Sequence, residues 1–354
     1  YRGESAASQA ARESFADRLR SEVSQRESPW SICHALLAFG PEFSYGEPPR
    51  RAIETLVEAY VQRDGSRVFV TRHRGAAGLG EQHPYLVLKT LAEVAPDDPI
   101  AAPVIAELLA TSRHEVVLPT GFESTDDLPW VVTAYARLRI PPDEAIRKGG
   151  PTPIALAREI LGAVEAGDRI VEKALAKEPF DRPPGSAPPA EAGTYAYTCG
   201  GQHMIQALLA VDLAGWWSES ERARVEERLR VFRRRIESEL EFRQREYELA
   251  VRSGKNELEA RTLLAMFSVK LLGHGLEIIG SAIRQGIAEE GAQGQVERLR
   301  SKLLGIFRSL DDDLDSERTL LPSLRRRFPV LWELWFGDGC HALRGLSMTD
   351  AVGR

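Results

Sequence analysis

Histidine is the residue type whose placement in this sequence most suggests chemistry. Five of the seven histidines stand beside small residues at the edge of an apolar segment, which predicts that each lies at or near the start of an apolar helix. These five are His34, His83, His203, His274 and His341. The tetrapeptide Cys-His-Ala-Leu also occurs twice, at 33–36 and at 340–343. Opposite ends of the chain therefore carry the same pair of potential metal ligands.

Imidazole and thiolate groups are ligands that Zn and Cu bind well in proteins, and imidazole also binds Fe. The sequence holds three cysteines, too few and too far apart to form a disulfide framework. We therefore predict a site for a transition metal (Zn, Cu or Fe), in which an open coordination position would activate water or polarise a carbonyl group. The predicted ligands, or residues directly behind ligands, are His34, His203, His274, His341, Cys33, Cys199 and Cys340.

A purely structural role for each histidine is the competing explanation, because a neutral imidazole can form a hydrogen bond in a core without any metal. The sequence contains no His-x-x-x-His, Cys-x-x-Cys or His-Glu-x-x-His spacing, so the ligands would have to come from distant helices. Near Cys199, the candidates for catalytic roles are Tyr195, Tyr197 and Gln202. No P-loop occurs and no Gly-x-Gly-x-x-Gly segment follows a predicted strand, so no nucleotide cofactor is expected.

The elements that would position these residues are mostly helices. Apolar residues recur at helical spacing, as Phe15, Leu19 and Val23 do in a polar N-terminal helix predicted over about 5–26. Ser31 is the predicted N-cap of the next helix, and residues 67–72 form a predicted strand. The further predicted helices span 32–39, 49–63, 82–94, 99–111, 126–138, 152–177, 202–214, 218–252, 255–272, 274–288 and 294–310, with at least two shorter helices in 317–349.

Helices of this length joined by short loops indicate stacked helical hairpins. The predicted fold class is all-α, with one domain over 1–354 arranged as an α/α toroid of about five to seven hairpins, or alternatively as an open α-solenoid. A minor β excursion is predicted near 67–72, and the Pro-, Gly- and Ala-rich stretch 178–194 is a predicted surface loop. In a toroid the first turns of the inner helices converge on a central cavity. We expect the metal, and an unknown small molecule or peptide, to bind there.

One heptapeptide resembles the motif of a known family of toroids. Cys199-Gly200-Gly201-Gln202-His203-Met204-Ile205 resembles the Cys-Gly-Glu-Gln-Asn-Met-Ile motif of the thioester domain of complement proteins and α-macroglobulins. In that domain the cysteine sulfur and the glutamine carbonyl form an internal thioester that acylates targets. Gly201 and His203 replace the family's Glu and Asn. The resemblance implies, as a minor alternative, a covalent-attachment domain that uses Cys199 and Gln202.

A second resemblance concerns the end of the chain. Cys340-His341-Ala342 is similar to the Cys-His-Gly segment of lanthionine cyclases, and Cys199-Gly200 is similar in part to their Trp-Cys-x-Gly segment. Those enzymes are also α/α toroids, and they hold zinc with two cysteines and one histidine. The spacing is longer in this chain and Ala342 replaces a glycine. The resemblance therefore implies the toroid fold more than the cyclase activity.

The overall composition limits the classes of function. The chain of 354 residues has a formal net charge of −6, which disfavours a nucleic-acid partner. Glutamates interleave with the arginines of 222–235, a pattern typical of a solvated helix face. We find no run of about 18 apolar residues and so expect no transmembrane segment. The chain begins with Tyr1 rather than Met, which favours a processed, extracytoplasmic protein, either periplasmic or secreted.

The main alternative to a metal-dependent enzyme or metal-binding protein is a non-catalytic helical scaffold. It would bind a protein or peptide partner on the charged helix 218–252. Two acidic patterns give minor alternatives. Asp311-Asp312-Asp313-Leu314-Asp315, with Arg325-Arg326-Arg327 nearby, is similar to the Mg-diphosphate motif of isoprenoid synthases. The carboxylates typical of acid and base pairs in α/α-barrel glycosidases would be Glu115, Glu123, Asp126 and Asp127.

Overall fold

Helices dominate the structure, which is a computed structural model and describes residues 5–65, 67–71, 83–183, 187–316 and 329–350, without the side chains of 311–316 and 329–330. The predicted all-α class is confirmed, whereas the toroid stays a prediction. The helices are α1 (Ala6–Arg26), α2 (Pro29–Phe39), α3 (Ala52–Tyr60), α4 (Leu86–Val94), α5 (Ala101–Glu115), α6 (Phe122–Asp126), α7 (Leu128–Arg137), α8 (Pro153–Leu175), α9 (Pro189–Ala192), α10 (Gln202–Leu213), α11 (Glu219–Arg252), α12 (Glu257–Arg284), α13 (Ala292–Ser316) and α14 (Pro329–Thr349).

The minor β structure consists of two short antiparallel pairs. Strand β1 (Ser44–Tyr45) pairs with β2 (Arg50–Arg51), and β3 (Val61–Asp64) pairs with β4 (Arg67–Val70). The predicted strand near 67–72 is therefore present over its first four residues, while residue 72 lies outside the described residues. The predicted helix 49–63 is wrong at its end, because Val61 pairs with Val70 and the chain leaves the helix at Tyr60.

The second helix begins earlier than predicted. Ser28, rather than Ser31, is its N-cap, and the two serines form a capping box in which each side chain accepts a hydrogen bond from the other residue's backbone N–H. Pro29 occupies the first helical position. A proline is well tolerated there, because the helix start needs no N–H at that point and the ring fixes a helical φ. Pro29 therefore starts this helix.

Two compact units make up the chain. Unit 1 comprises Tyr1–Gln25, Ala174–Arg182 and Arg230–Arg354, and unit 2 comprises Arg26–Lys173 and Pro183–Leu229. In unit 2 the short apolar helices pack in chain order, α2 against α4, α4 against α7 and α7 against α10. Part of the predicted loop 178–194 is helical, since α9 lies within it and a 3-10 turn over Gly193–Ala196 begins at its end.

Unit 1 is built around the packing of α12 against α14, with α13 also in contact with α12. The polar helix α1 contributes Phe15, whose ring stacks on Phe307 of α13 at 4.0 Å between centroids. The two central helices run parallel, because Gly273 lies opposite Ala342 and Gly280 lies opposite Thr349. The middle of each helix is thus buried against the middle of the other.

Both of these helices continue through glycines, and in α12 these include Gly273, where the sequence predicted a break between helices 255–272 and 274–288. α12 is one helix through Gly273 and Gly275, and α14 is one helix through Gly337 and Gly339. A helical glycine costs about 1 kcal/mol relative to alanine, but here it allows close approach of the helices. A Cβ on Gly273 would lie 2.7 Å from the backbone N of Ala342. His274 and His341 therefore lie in the middle of helices, and their predicted place at helix starts is wrong.

Among the described residues, α12 is the one helix long and apolar enough to cross a membrane by length and composition alone. Of its most apolar window, 67% is buried inside the protein. The core helix of a globular protein has the same length, composition and burial.

Candidate metal centre

Three side chains that can bind a metal meet between α12 and α14 in unit 1. His274 and Glu277 come from α12, and His341 comes from α14. His341 Nδ1 lies 2.8 Å from Glu277 Oε2, and His274 Nδ1 lies 3.6 Å from the same oxygen. The two imidazole centroids are 3.9 Å apart. All three residues are buried, with 0%, 3% and 3% of their surfaces exposed for His274, Glu277 and His341.

Helix geometry explains why these residues meet. Residues three apart lie on one face of a helix, which places His274 and Glu277 together on α12 and His341 and Arg344 together on α14. Small residues then bring the two faces close. A Cβ on Gly345 would lie 2.7 Å from the carbonyl oxygen of Gly273, so only glycine fits there at the observed helix separation.

Further charged groups surround the three potential ligands. Arg344 Nε lies 3.3 Å from Glu277 Oε1, and Asp338 Oδ1 lies 3.9 Å from His274 Nε2. Burial raises the pKa of Asp338, and the nearby charges of Lys270 and His341 partly oppose that increase. We call this group of six residues the polar seam. Its members are Lys270, His274, Glu277, Asp338, His341 and Arg344.

The spacing within the polar seam fits a small metal ion. The ligand atoms of His274, Glu277 and His341 all lie within 4.8 Å of one another. Bonds of about 2.0–2.1 Å in a tetrahedral arrangement place ligand atoms about 3.3 Å apart. The observed 2.8 Å and 3.6 Å bracket that value, so shifts of about half an ångström would accommodate an ion. Two imidazoles and one carboxylate form a ligand set that Zn and non-haem Fe use in enzymes.

The sequence prediction named His274 and His341 but missed the carboxylates. Glu277, Asp338 and Arg344 were not among the predicted site residues. A signal for two of them exists in the sequence, since His274-x-x-Glu277 and Asp338-x-x-His341 each pair a carboxylate with a histidine at helical spacing. His274 and Glu277 lie together in the predicted helix 274–288, but no sequence pattern indicated that this face of the helix meets His341.

His34 and the three cysteines were also predicted as ligands. His34 is buried in α2, where its Nδ1 lies 2.6 Å from the carbonyl oxygen of Trp30 and its ring contacts the Trp30 ring. That arrangement is the hydrogen-bonded core histidine of the structural explanation. Cys33 and Cys340 are buried, with 0% and 1% exposure, whereas Cys199 is partly exposed.

The segment around Cys199 in unit 2 has an unusual backbone. Cys199, Gly200 and Gly201 all adopt left-handed conformations, with φ of 51°, 66° and 76°, immediately before α10. Gln202 and His203 are buried in the first turn of that helix. Cys199 Sγ and a ring nitrogen of His203 lie within 4.8 Å of each other.

The two predicted tyrosines precede this segment in the chain. Tyr195 is buried, and Tyr197 stacks on Phe122 at 4.6 Å. Burial raises the pKa of Tyr197, and the charge of Asp126 raises it further. A tyrosine with a raised pKa stays protonated at neutral pH and can act there as a hydrogen-bond donor.

The remaining candidates lie in several places. The side chains of the Asp311–Asp315 pattern and of Arg325-Arg326-Arg327 lie outside the described residues. Glu115 pairs with Arg67 at 2.7 Å, and Asp126 accepts hydrogen bonds from Thr198. On α11, Arg224 pairs with Glu165 of α8 at 2.7 Å, whereas Arg235 pairs with Glu239 at 2.6 Å and both are buried, so the predicted solvated face is wrong at Arg235.

The charged helix of the scaffold alternative carries one notable surface feature. A groove of about 1040 Å³ lies between the ends of α11 and α12 in unit 1, and Leu249 beside it is 61% exposed. Arg243 covers the ring of Phe267 at 4.3 Å within the same groove. A partner for this surface stays a prediction.

The polar seam brings together three potential metal ligands in the core of unit 1. Comparisons of the chain with protein families, with curated proteins and with solved structures found no match.

Proposed function

We propose that this protein binds one divalent transition metal ion, Zn²⁺ in the first instance, through His274, Glu277 and His341. The observation that carries the proposal is the convergence of three buried ligand side chains, whose ligand atoms all lie within 4.8 Å of one another. Buried charges are normally paired or bound to a metal, because an isolated charge in a core is costly. A dication bound to the carboxylate of Glu277 would satisfy that condition.

The orientation of the imidazoles supports the proposal. His274 and His341 both direct Nδ1 toward Glu277 Oε2, so both would bind the ion through Nδ1. His274 then directs Nε2 toward Asp338. Metal-binding histidines commonly donate their other N–H to a carboxylate, which fixes the ring and makes the ligating nitrogen more basic. Arg344 would hold Glu277 in the same way.

Three protein ligands leave one position of a tetrahedral zinc open. An ion in that state lowers the pKa of bound water and polarises carbonyl groups, which is the basis of hydrolytic zinc enzymes. We therefore propose a metal-dependent enzyme, with a small molecule or peptide as its substrate. An ion held by these residues for stability alone is the competing role, and activity of the metal-loaded protein would separate the two.

The toroid belongs to the same proposal. The sequential packing of α2, α4, α7 and α10 in unit 2 is the local arrangement that a toroid of hairpins requires. An experimental structure in which the hairpins form an open superhelix would contradict this part of the proposal and leave the metal site unaffected.

Metal analysis of the untagged chain tests the proposed site. The protein should be stripped with a chelator, reloaded with Zn²⁺ or Co²⁺, dialysed and measured by elemental analysis. We expect about one ion per chain, and Co²⁺ should give the visible absorption of a four-coordinate site. The variants His274→Gln, Glu277→Gln and His341→Gln should each lose most of the bound metal.

Two histidine variants serve as matched controls. His34→Gln changes a buried histidine with its own backbone partner, and His114→Gln changes an exposed histidine on α5. Both should retain the ion. A wild-type chain that binds no Zn²⁺, Co²⁺, Cu²⁺ or Fe²⁺ under these conditions would overturn the proposal, and the polar seam would then be a metal-free ion network.

A further inference from the structure

A second group of reactive side chains lies at the start of α10 in unit 2. Cys199 Sγ lies within 4.8 Å of a ring nitrogen of His203. The Nδ1 atom of His203 lies 3.0 Å from Gln206 Oε1. An amide oxygen can only accept a hydrogen bond, so this contact fixes the proton on Nδ1 and leaves Nε2 as the basic nitrogen. A thiol, a basic imidazole and a group that orients the imidazole are the parts of a cysteine nucleophile.

The surrounding residues hold the imidazole in place. Trp130 of α7 packs against the ring of His203 at 4.3 Å between centroids, and His83 stacks on Trp130 at 5.0 Å between centroids. His203 is buried, with 5% exposure. A base held by packing on one side and by Gln206 on another keeps its orientation without substrate, as a preorganised site requires.

The backbone presents Cys199 in a strained conformation that the neighbouring residues maintain. Left-handed φ is rare for a residue with a side chain, and such residues persist only where the surroundings impose them. Asp126 accepts hydrogen bonds from Thr198 N and Oγ1 at 2.7 Å and 2.6 Å, which anchors the residue before Cys199. A Cβ on Gly201 would lie 2.9 Å from the carbonyl oxygen of Thr194, so position 201 requires glycine.

The start of α10 offers groups that could receive an acyl substrate. Its N-cap is Gly201, which supplies no side-chain cap to the first-turn N–H groups. Such groups stabilise the oxyanion of a tetrahedral intermediate. Gln202 is 1% exposed, and within the described part of the chain its Oε1 has no hydrogen-bond partner. A buried acceptor of this kind would be satisfied by an N–H of the ligand.

We propose that Cys199 is the nucleophile of an acyl-transfer site, with His203 as its base and Gln206 as a positioning residue. The substrate class is an acyl donor that carries an amide N–H, such as a peptide-like ester or thioester. The thiol proton passes to His203 as Cys199 Sγ bonds to the acyl carbon. The bond from that carbon to the leaving group then breaks, and His203 returns the proton to the leaving group. Water or another acceptor releases the acyl group from sulfur.

Acylation by p-nitrophenyl acetate tests the proposal in the full chain with excess EDTA present. We expect a burst of about one equivalent of p-nitrophenolate, with one acetyl group located on Cys199 by peptide mass analysis. Cys199→Ala should abolish the burst. His203→Gln should slow acylation by at least about 100-fold, as expected for loss of a general base. His114→Gln, which changes an exposed histidine on α5, should leave the burst intact, and a burst that persists in excess EDTA does not depend on the proposed metal ion.

The positioning role of Gln206 is tested by comparing the acylation rates of two substitutions at this residue. Gln206→Leu removes the acceptor, and we expect acylation to slow by about tenfold or more because the imidazole loses its orientation. Gln206→Glu keeps an acceptor oxygen for the imidazole and should therefore be acylated at close to the wild-type rate. Rates that are equal in the two variants would overturn the positioning role.

The two buried cysteines provide an internal test of folding. Cys33 and Cys340 should resist iodoacetamide in every variant that is folded, while Cys199 reacts. If Cys199 of the wild type reacts no faster than glutathione and His203→Gln does not slow it, the proposal is wrong. A wild-type mass that is lower by one ammonia would also overturn it, because Cys199 and Gln202 would then already form a thioester.

Discussion

Glu277 and His341 form a hydrogen bond of 2.8 Å across two parallel helices, 64 residues apart in the sequence. The same carboxylate contacts Arg344 at 3.3 Å and lies 3.6 Å from His274. One buried side chain thus joins the positive and the metal-binding groups of the polar seam. Both the stability and the metal affinity of unit 1 should depend on it.

Glu277→Leu should destabilise the metal-free protein by about 3–5 kcal/mol, because the change leaves Arg344 and His341 without their common partner in the core. Urea unfolding followed by circular dichroism measures the loss. The double variant Glu277→Leu/Arg344→Met removes both charges and should recover much of that stability. If the single and double variants are equally unstable, the packing of Glu277 rather than its charge is what matters.

Gly273→Ala should destabilise the protein by about 1–3 kcal/mol, although alanine is the better helix former. The new Cβ would lie 2.7 Å from backbone N of Ala342, so the helices must separate. The matched control is Gly305→Ala in α13, where the nearest atom is the end of the Arg308 side chain at 3.8 Å. That change should stabilise the protein by about 0.5–1 kcal/mol. Thermal unfolding of the two variants should therefore move in opposite directions.

Glu221 should give unit 2 an acid-sensitive contribution to stability. A hydrogen bond from Arg158 lowers the pKa of Glu221 to about 2, with further hydrogen bonds from Ser218. Because the folded pKa lies below the unfolded value of about 4.3, the contribution is fully present above that value. It is lost as the pH falls toward about 2. Unfolding of wild type and Glu221→Gln should therefore differ most above about pH 5 and converge near pH 2.

Arg158→Met provides the control for this pH dependence. It removes the largest cause of the lowered pKa and leaves Glu221 in place. We expect its stability to depend less on pH between about 2 and 5 than that of the wild type. An unchanged pH dependence would show that Arg158 is not the cause.

Ionised Asp127 should lower the stability of the folded protein, whereas ionised Glu221 raises it. Burial raises its pKa to about 6, and the charges of Asp126 and Glu123 add to the increase. Ionisation of Asp127 therefore costs folding free energy, fully above the folded pKa and not at all below the unfolded value of about 3.9. At pH 8, Asp127→Asn should stabilise the protein by about 1–2 kcal/mol and raise its melting temperature, less than the full pKa shift implies because solvent screens a half-buried carboxyl group. At pH 4 the substitution should have little effect. A stabilisation that is the same at both pH values would contradict this account.

The helical class of this chain could be predicted from its sequence, because apolar spacing and turn residues act over a few neighbouring residues. The sequence also placed helices near 5–26 and 202–214, within about two residues of the observed helices Ala6–Arg26 and Gln202–Leu213. It also indicated histidine and cysteine as the residues with chemistry to offer. The proposed roles of those residues stay predictions.

How those residues combine depends on the packing of helices that are distant in the sequence. Gly273 stands at a predicted helix end, yet α12 is continuous there and packs closely against Ala342. Glu277 could be found as a partner of His341 only once the two helices were known to run parallel and in register. That register is set by small residues that allow contact between helices distant in sequence, and no short-range pattern records it.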